Sequence, residues 1–403
     1  MRQAPLVAVW IGFLAAHAIS TWLGWVWPNG PMGDTYLVYE PWSDRAIDGQ
    51  GIVGISESWV YPPLALVPMV VAQALVWFSS YSLSWAVLVG LVDIVAFGIL
   101  VGRGSSRGRL AGGWLWAGFV LVLGPVALFR LDAVTVPLAI LALLLIGAHP
   151  RTAGALIACA TWIKVWPAAL AVSVVIASRQ RWRVVRGGVA VSILVVTGVV
   201  LAGGSEHLLG FVTTQGERGL QIEAVAATPF LFGAGGGAIY YDTEILTYQV
   251  QGAGVDAVAS VLTPVMALAV AAICALGVWR VRRGSPFLAV LPPLALALVV
   301  CLIVTNKVGS PQFQTWLIAP LVAWVVWDRA RAWPLAALGL VTAGLTHIVY
   351  PLAYHLVLVG DTVGLGVLAA RNALVVVLGI WAVVRLARPT SSPRRLSPIA
   401  HQE

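Results

Sequence analysis

Residues 258–283 read VASVLTPVMALAVAAICALGVWRVRR: 22 residues without a charge, then Arg280, Arg282 and Arg283 within four positions. A helix rises ~1.5 Å per residue, so a run of this length crosses a hydrocarbon core about 30 Å thick. A helix that is apolar on every face belongs in the centre of a large protein or in a membrane. Arginines crowded at one of its ends mark that end as cytoplasmic by the positive-inside rule.

The same alternation repeats along the chain. Of 24 Lys and Arg residues, 18 fall between apolar runs at Arg2, Arg103–Arg109, Arg151, Arg179–Arg186, Arg280–Arg283, Arg329, Arg331, Arg385, Arg388, Arg394 and Arg395. The other six, Arg45, Arg130, Lys164, Arg218, Lys307 and Arg371, fall on or near the opposite face, together with 13 of the 16 acidic residues. Composition agrees: 403 residues that are 60% apolar and 10% charged contrast with a charged fraction of about 25% in soluble domains. The chain is therefore read as an all-α, polytopic membrane protein. Its net charge of +8 is spread over short turns instead of one patch, so it reports orientation, and no nucleic-acid partner is expected. Cys159, Cys274 and Cys301 all lie inside apolar runs without pairing or metal-ligand spacing and read as small buried hydrophobes.

Hydropathy predicts about twelve spans, at 5–26, 83–101, 110–129, 133–148, 152–163, 165–178, 187–202, 258–279, 287–304, 313–327, 333–350 and 362–384. The N-terminal run lacks a small-residue cleavage site and is taken as a retained first span. An even number of spans puts both termini in the cytoplasm. The apolar stretch 64–78 is too short to cross, and counting it would move Arg103–Arg109 outside, so it is expected to be an interfacial or re-entrant helix. The transmembrane domain covers 1–388 with two large outer loops, 27–82 and 203–257, and the Pro, Ser and Arg-rich segment 389–403 reads as a disordered cytoplasmic tail. The glycine run Gly233–Gly237 follows no strand and reads as a flexible turn or lid, not a phosphate loop.

The chemistry-bearing residues gather on the outer face. Asp34 stands about one turn beyond the first span, where a carboxylate held under a loop can take a proton from a hydroxyl. Asp44, Asp48 and Glu57 share that loop, and composition does not rank the four. Arg130-Leu131-Asp132 occupies a turn between spans and reads either as a local ion pair or as a ligand contact. Lys164, between two half-length apolar segments, needs an anion or water, and a lipid phosphate is its candidate partner. Lys307 at a helix start, His347 near the end of the eleventh span, and Arg371 inside the twelfth complete a candidate phosphate-binding set. No metal-ligand spacing is present, and no cofactor is expected.

Taken in order, Asp34 with Leu37-Val38-Tyr39, Tyr61-Pro62-Pro63, Lys164 with Pro167, Arg218 through Gln221 to Glu223, Asn306-Lys307 with Ser310-Pro311-Gln312-Phe313 and Trp316, Thr346-His347 through Pro351, and Arg371-Asn372 resemble glycosyltransferase family 87. These are integral membrane enzymes of the GT-C class, and the resemblance covers about residues 30–375. It implies an inverting transfer of mannose from a polyprenyl-phosphate donor to a cell-envelope acceptor, a glycolipid or polysaccharide, outside the cytoplasmic membrane. Carried over by position, Asp34 becomes the base. Lys164, Lys307, His347 and Arg371 become contacts to the donor phosphate, and Tyr61, Arg130, Arg218, Gln221, Glu223 and Gln312 contacts to substrate. Phe313 departs from the family pattern, which carries Tyr there. Two other readings stay open at this point: transfer of arabinofuranose or another pentose on the same fold, and, from a different class, a transporter or flippase of lipid-linked sugars.

Overall fold

The computed structural model describes residues 4–216, 218–233, 239–243 and 245–388. A helix occupies each of the twelve predicted spans: α1 Ala4–Val26, α2 Tyr81–Val101, α3 Arg107–Leu123, α4 Asp132–Leu145, α5 Pro150–Ile163, α6 Ala168–Ala177, α7 Arg181–Leu201, α8 Val255–Arg282, α9 Phe287–Val304, α10 Ile318–Trp327, α11 Arg329–His347 and α12 Thr362–Ala387. Among the described residues, eight helices are long and apolar enough to cross a membrane: α1, α2, α3, α7, α8, α9, α11 and α12. Of the short ones, α4 and α10 are buried within this set, whereas α5 and α6 are half-buried.

Each apolar helix reverses the direction of the one before, which collects the loops into two groups. One end carries the arginine-rich turns. The other carries the segments around 27–80, 124–131, 164–167, 202–254, 305–317 and 348–361, which are stitched to one another. Asn29 Nδ2 donates to the Pro351 carbonyl at 2.6 Å, and the Gln221 amide to the Lys307 carbonyl at 3.0 Å. The tail 389–403 and residues 234–238 of the glycine run lie outside the described residues.

Burial explains the layering. α9 and α10 are hidden along almost their whole length, and their residues, with those of α4, form the centre of one large apolar core. α7 and α8 bury few residues and present the rest outward, as lipid-facing helices do. α5 and α7 approach at backbone distance: a Cβ on Gly154 would strike the Val184 carbonyl, and one on Gly187 the Arg151 carbonyl. With no hydrophobic force to drive helices together in lipid, such close van der Waals approach is what holds a pair.

The stretch expected at the interface is a broken apolar segment. A 3-10 turn Pro63–Ala65, a helix Leu66–Gln73 and a second 3-10 turn Val76–Phe78 follow one another, with Trp77 85% exposed. On the same side, the second large loop forms a hairpin of β1 (Ile239–Asp242) and β2 (Thr247–Val250). The hairpin joins a smaller core of Leu220, Ile222, Leu231, Val250, Val357 and Leu368, among others.

Candidate active site

Asp34 follows α1 and opens a widened π-helical turn, Thr35–Tyr39, that continues into the helix Glu40–Ile47. Such turns carry one extra residue and recur at functional sites. Thr35 fixes the turn by bonding the Ser82 hydroxyl at 2.7 Å at the start of α2. The Asp34 side chain stays 32% exposed, and its Oδ2 lies 3.3 Å from Arg130 Nε and 3.5 Å from the Tyr39 hydroxyl. Both contacts use Oδ2, so no partner is recorded for Oδ1 among the described residues. Tyr39 accepts from the Leu131 amide at 3.0 Å. Burial, then the charge of Asp34, pushes its phenol well above the ordinary range, so Tyr39 remains a neutral donor.

Arg130 is itself held rigidly. Nη1 donates to the Pro31 and Phe129 carbonyls at 2.8 and 2.9 Å, and Nη2 to the Tyr350 hydroxyl at 3.3 Å. The sequence alternative of a local Arg130–Asp132 pair is therefore corrected: Arg130 pairs with Asp34, and Asp132 turns inward. Asp132 begins α4, is 1% exposed at its side chain, and lies 3.6 Å from Lys164 Nζ. That is an ion-pair distance, beyond a hydrogen bond. Its other oxygen accepts the indole N–H of Trp316.

Lys164 sits where α5 ends in an extended residue and Pro167 delays the next helix. Its candidate anion is a lipid phosphate; within the chain its partner is Asp132, and the Tyr61 ring lies 4.3 Å from its ammonium. Tyr61 is positioned by Trp42 and Trp59, whose rings meet it edge to face at 6.1 and 5.4 Å. Asp34 and Arg218 are also within electrostatic reach of Lys164. The Arg218 guanidinium has no ion pair recorded among the described residues, and its Nε is buried without a hydrogen-bond partner. Burial lowers the Arg218 pKa, opposed by Tyr61 and Asp242. Asp34, Tyr61, Arg130, Lys164 and Arg218 thus form one chain of contacts and electrostatic neighbours.

A second group adjoins it. Glu223 Oε2 lies 2.9 Å from Arg371 Nη2, with both side chains 3% exposed. Burial pushes the Glu223 carboxyl up, and Arg371 draws it back. Arg130 also acts electrostatically on Glu223, which links the two groups. The loop bearing Glu223 fits against the 305–311 segment without slack, because a Cβ on Gly309 would collide with the Ala224 amide. Gln221 bridges to Gln249 of β2, and Gln312 accepts from the Ser310 hydroxyl at 2.6 Å.

The remaining expected residues, His347 and Lys307, have the following surroundings. His347 Nδ1 bonds the Val122 carbonyl at 2.9 Å, and its ring meets Trp27 edge to face at 6.1 Å. Lys307 contributes its carbonyl to Gln221, and partial burial lowers the pKa of its ammonium. Of the loop's other acids, Glu57 pairs with Arg45 at 2.9 Å and Asp44 accepts from Gln73 at 2.6 Å. Tyr39 and Tyr350 carry no assigned role in the sequence reading, although both lie inside the family-like segments, and Asp132 enters it only together with Arg130. Among the described residues no three His, Cys, Asp or Glu side chains gather as a metal would require.

No curated protein matches the chain. The profile of glycosyltransferase family 87 matches residues 59–305, more than half of the 403 residues. The matched region contains Tyr61, Arg130, Lys164, Arg218, Gln221 and Glu223, while Asp34, Lys307, His347 and Arg371 lie outside it. A transporter or flippase reading gives way to this match. A multi-pass bundle of apolar helices with this profile across its middle is a membrane glycosyltransferase, and the chain belongs to glycosyltransferase family 87.

Proposed function

We propose that the protein transfers mannose, with inversion, from a polyprenyl-phosphate donor to a glycolipid or polysaccharide acceptor at the outer face of the cytoplasmic membrane. The observation that carries this reading is the cluster itself: one partly open carboxylate, Asp34, has Lys164 within electrostatic reach, and Lys164 in turn neighbours the Tyr61 ring and Arg218. A carboxylate opposite cations suits a displacement in which a proton leaves one side and a phosphate the other.

In this reading the acceptor hydroxyl gives its proton to Asp34 Oδ1 as its oxygen bonds to C1 of the sugar. The bond from C1 to the phosphate oxygen breaks, and polyprenyl phosphate departs with the electron pair. Arg130, fixed by two carbonyls and Tyr350, holds Oδ2 and leaves the other oxygen directed to substrate. Lys164 and Arg218 take the leaving phosphate, and the anion offsets the cost of burying Arg218. Lys307 and His347 serve the donor from the rim. Arg371 acts through Glu223, and Gln221 and Gln312 border the substrate.

Further support for a lipid-linked donor comes from an apolar groove of about 530 Å³ between the interfacial segment and α7, lined by Pro63, Leu64, Val67, Val70, Leu194 and Val199 among others. Its wall is built from the segments on either side of Tyr61, Ile55 and Pro63 onward, which suits a prenyl chain whose head group is held at Tyr61. The test is incubation of the purified protein with polyprenyl-phosphate sugars and cell-envelope lipids, followed by mass spectrometry of the products. A hexose added to an envelope lipid from polyprenyl-phosphate-mannose supports the assignment. Transfer only from a pentose donor replaces the sugar, and no transfer from any polyprenyl phosphate rejects the donor class.

A further inference from the structure

Four tyrosines form a row, of which the transfer chemistry above uses only Tyr350, as an acceptor that holds Arg130. Tyr241 on β1 meets Tyr248 on β2 with ring centroids 4.8 Å apart. Tyr248 meets Tyr354 at 5.9 Å, and Tyr354 meets Tyr350 at 5.0 Å. The row ends in the active-site pocket, where the Tyr350 hydroxyl receives Arg130 Nη2 at 3.3 Å and donates towards the Asn29 and Gly30 carbonyls. At its far end Tyr241 is 45% exposed, and the three inner tyrosines keep part of their surface open.

Polar groups border the row. Gln249 Nε2 donates to Asp242 Oδ2 at 2.7 Å, Gln221 Nε2 lies 3.4 Å from the Thr247 hydroxyl, and Glu223 acts electrostatically on Tyr354. An aliphatic chain would be met by an aliphatic wall, like the groove beside α7. Aromatic faces next to amides and carboxylates suit a different ligand. A sugar ring presents a face of slightly positive C–H groups, complementary to the negative face of an aromatic ring, while its rim of hydroxyls needs amide and carboxylate partners. We propose that Tyr241, Tyr248, Tyr354 and Tyr350 form an extended acceptor subsite for a carbohydrate chain, with its terminal hydroxyl at Asp34 and earlier sugar units along the row. This rests on the reading of Asp34 as the base, because that reading sets which end of the row receives the reacting hydroxyl.

The experiment is saturation-transfer NMR on the full chain in nanodiscs, with soluble oligosaccharides of one to four units of mannose, glucose or arabinofuranose. Affinity should rise with length in at least one series. Tyr241→Ala, at an exposed position, should weaken the four-unit ligand about tenfold, or ~1.4 kcal/mol, and leave the one-unit ligand unchanged. Tyr248→Leu should do the same. Leu246→Ala, exposed on the same hairpin, should change neither. Absence of length dependence in every series, or wild-type affinity for the four-unit ligand in Tyr241→Ala, overturns the subsite. Asp34→Asn should bind the same oligosaccharides as the wild type; if that variant also keeps full turnover, the base assignment fails while the row stands.

Discussion

At the scale of residues, the candidate acids of the first outer loop separate by their neighbours. Glu57 and Asp44 are engaged by Arg45 and Gln73, whereas Asp34 alone meets the Arg130 clamp and keeps one oxygen open to the pocket. Asp34→Asn preserves shape and removes basicity, so turnover should fall by roughly 10²- to 10⁴-fold, with a lowered thermal midpoint because the buried Arg130 loses its carboxylate and keeps only neutral acceptors. Near-normal turnover would move the base to another residue. For the phosphate, Arg218→Ala should weaken binding of polyprenyl phosphate by about 1.5–3 kcal/mol, the range for a hydrogen bond to a charged group. Lys164→Ala should cost product affinity and also stability, since it leaves Asp132 buried without its cation. Titration of the product lipid against each variant, beside a melting curve, separates the two effects. The sequence made Lys164 and Arg130 conspicuous, because a charge in an apolar setting demands a partner. It could not name those partners. Arg130 and Asp132 are two positions apart, yet one answers Asp34 and the other Lys164, pairings set by how α1, α4 and α5 pack.

At the scale of elements, the helices were legible because apolar runs between arginine clusters fix both length and limits. The break at Lys164 was legible too, since Pro167 and two half-length runs admit no continuous helix. Close backbone approaches were not, because Gly154 and Gly187 resemble any other glycine in the sequence. Gly187→Ala should force α7 away from α5 and cost about 1–3 kcal/mol, the usual penalty for overpacking. On the same helix Gly198 has nothing within 4 Å of a built Cβ, so Gly198→Ala should leave the melting temperature unchanged or raise it. Equal behaviour of the two variants would reject the close-contact account. The Glu223–Arg371 pair makes a parallel case: Glu223→Gln strands a buried guanidinium and should destabilise by about 3–5 kcal/mol. Adding Arg371→Met should recover part of that loss in a denaturation series, because the stranded charge is then gone. The sequence displayed both residues as substrate candidates, and only the fold shows them satisfying each other.

At the scale of the whole molecule, two chemically different ends follow from one alternation. The arginine turns at 103–109, 179–186, 280–283 and 329–331 fall at one end, and Asp34, Tyr61, Lys164, Arg218 and Glu223 at the other. Packing fixes which loops share an end; the absolute direction is a prediction from the charge bias. A reporter fused after Arg283 should therefore read cytoplasmic, and one fused after Gly203, at the start of the second large loop, should read external. Reversal of both signals would place the pocket on the cytoplasmic side and would remove the extracytoplasmic donor reading along with the topology. If only the Gly203 fusion read cytoplasmic, the fault would lie in the span α7. That helix is flanked by Arg181, Arg183 and Arg186 at its start and by no basic residue in its last turn, so the bias on its own ends predicts the crossing. Replacing those three arginines with glutamine should weaken that crossing, giving a mixed reporter signal after Gly203, because the short α5 and α6 before it supply little orientation of their own.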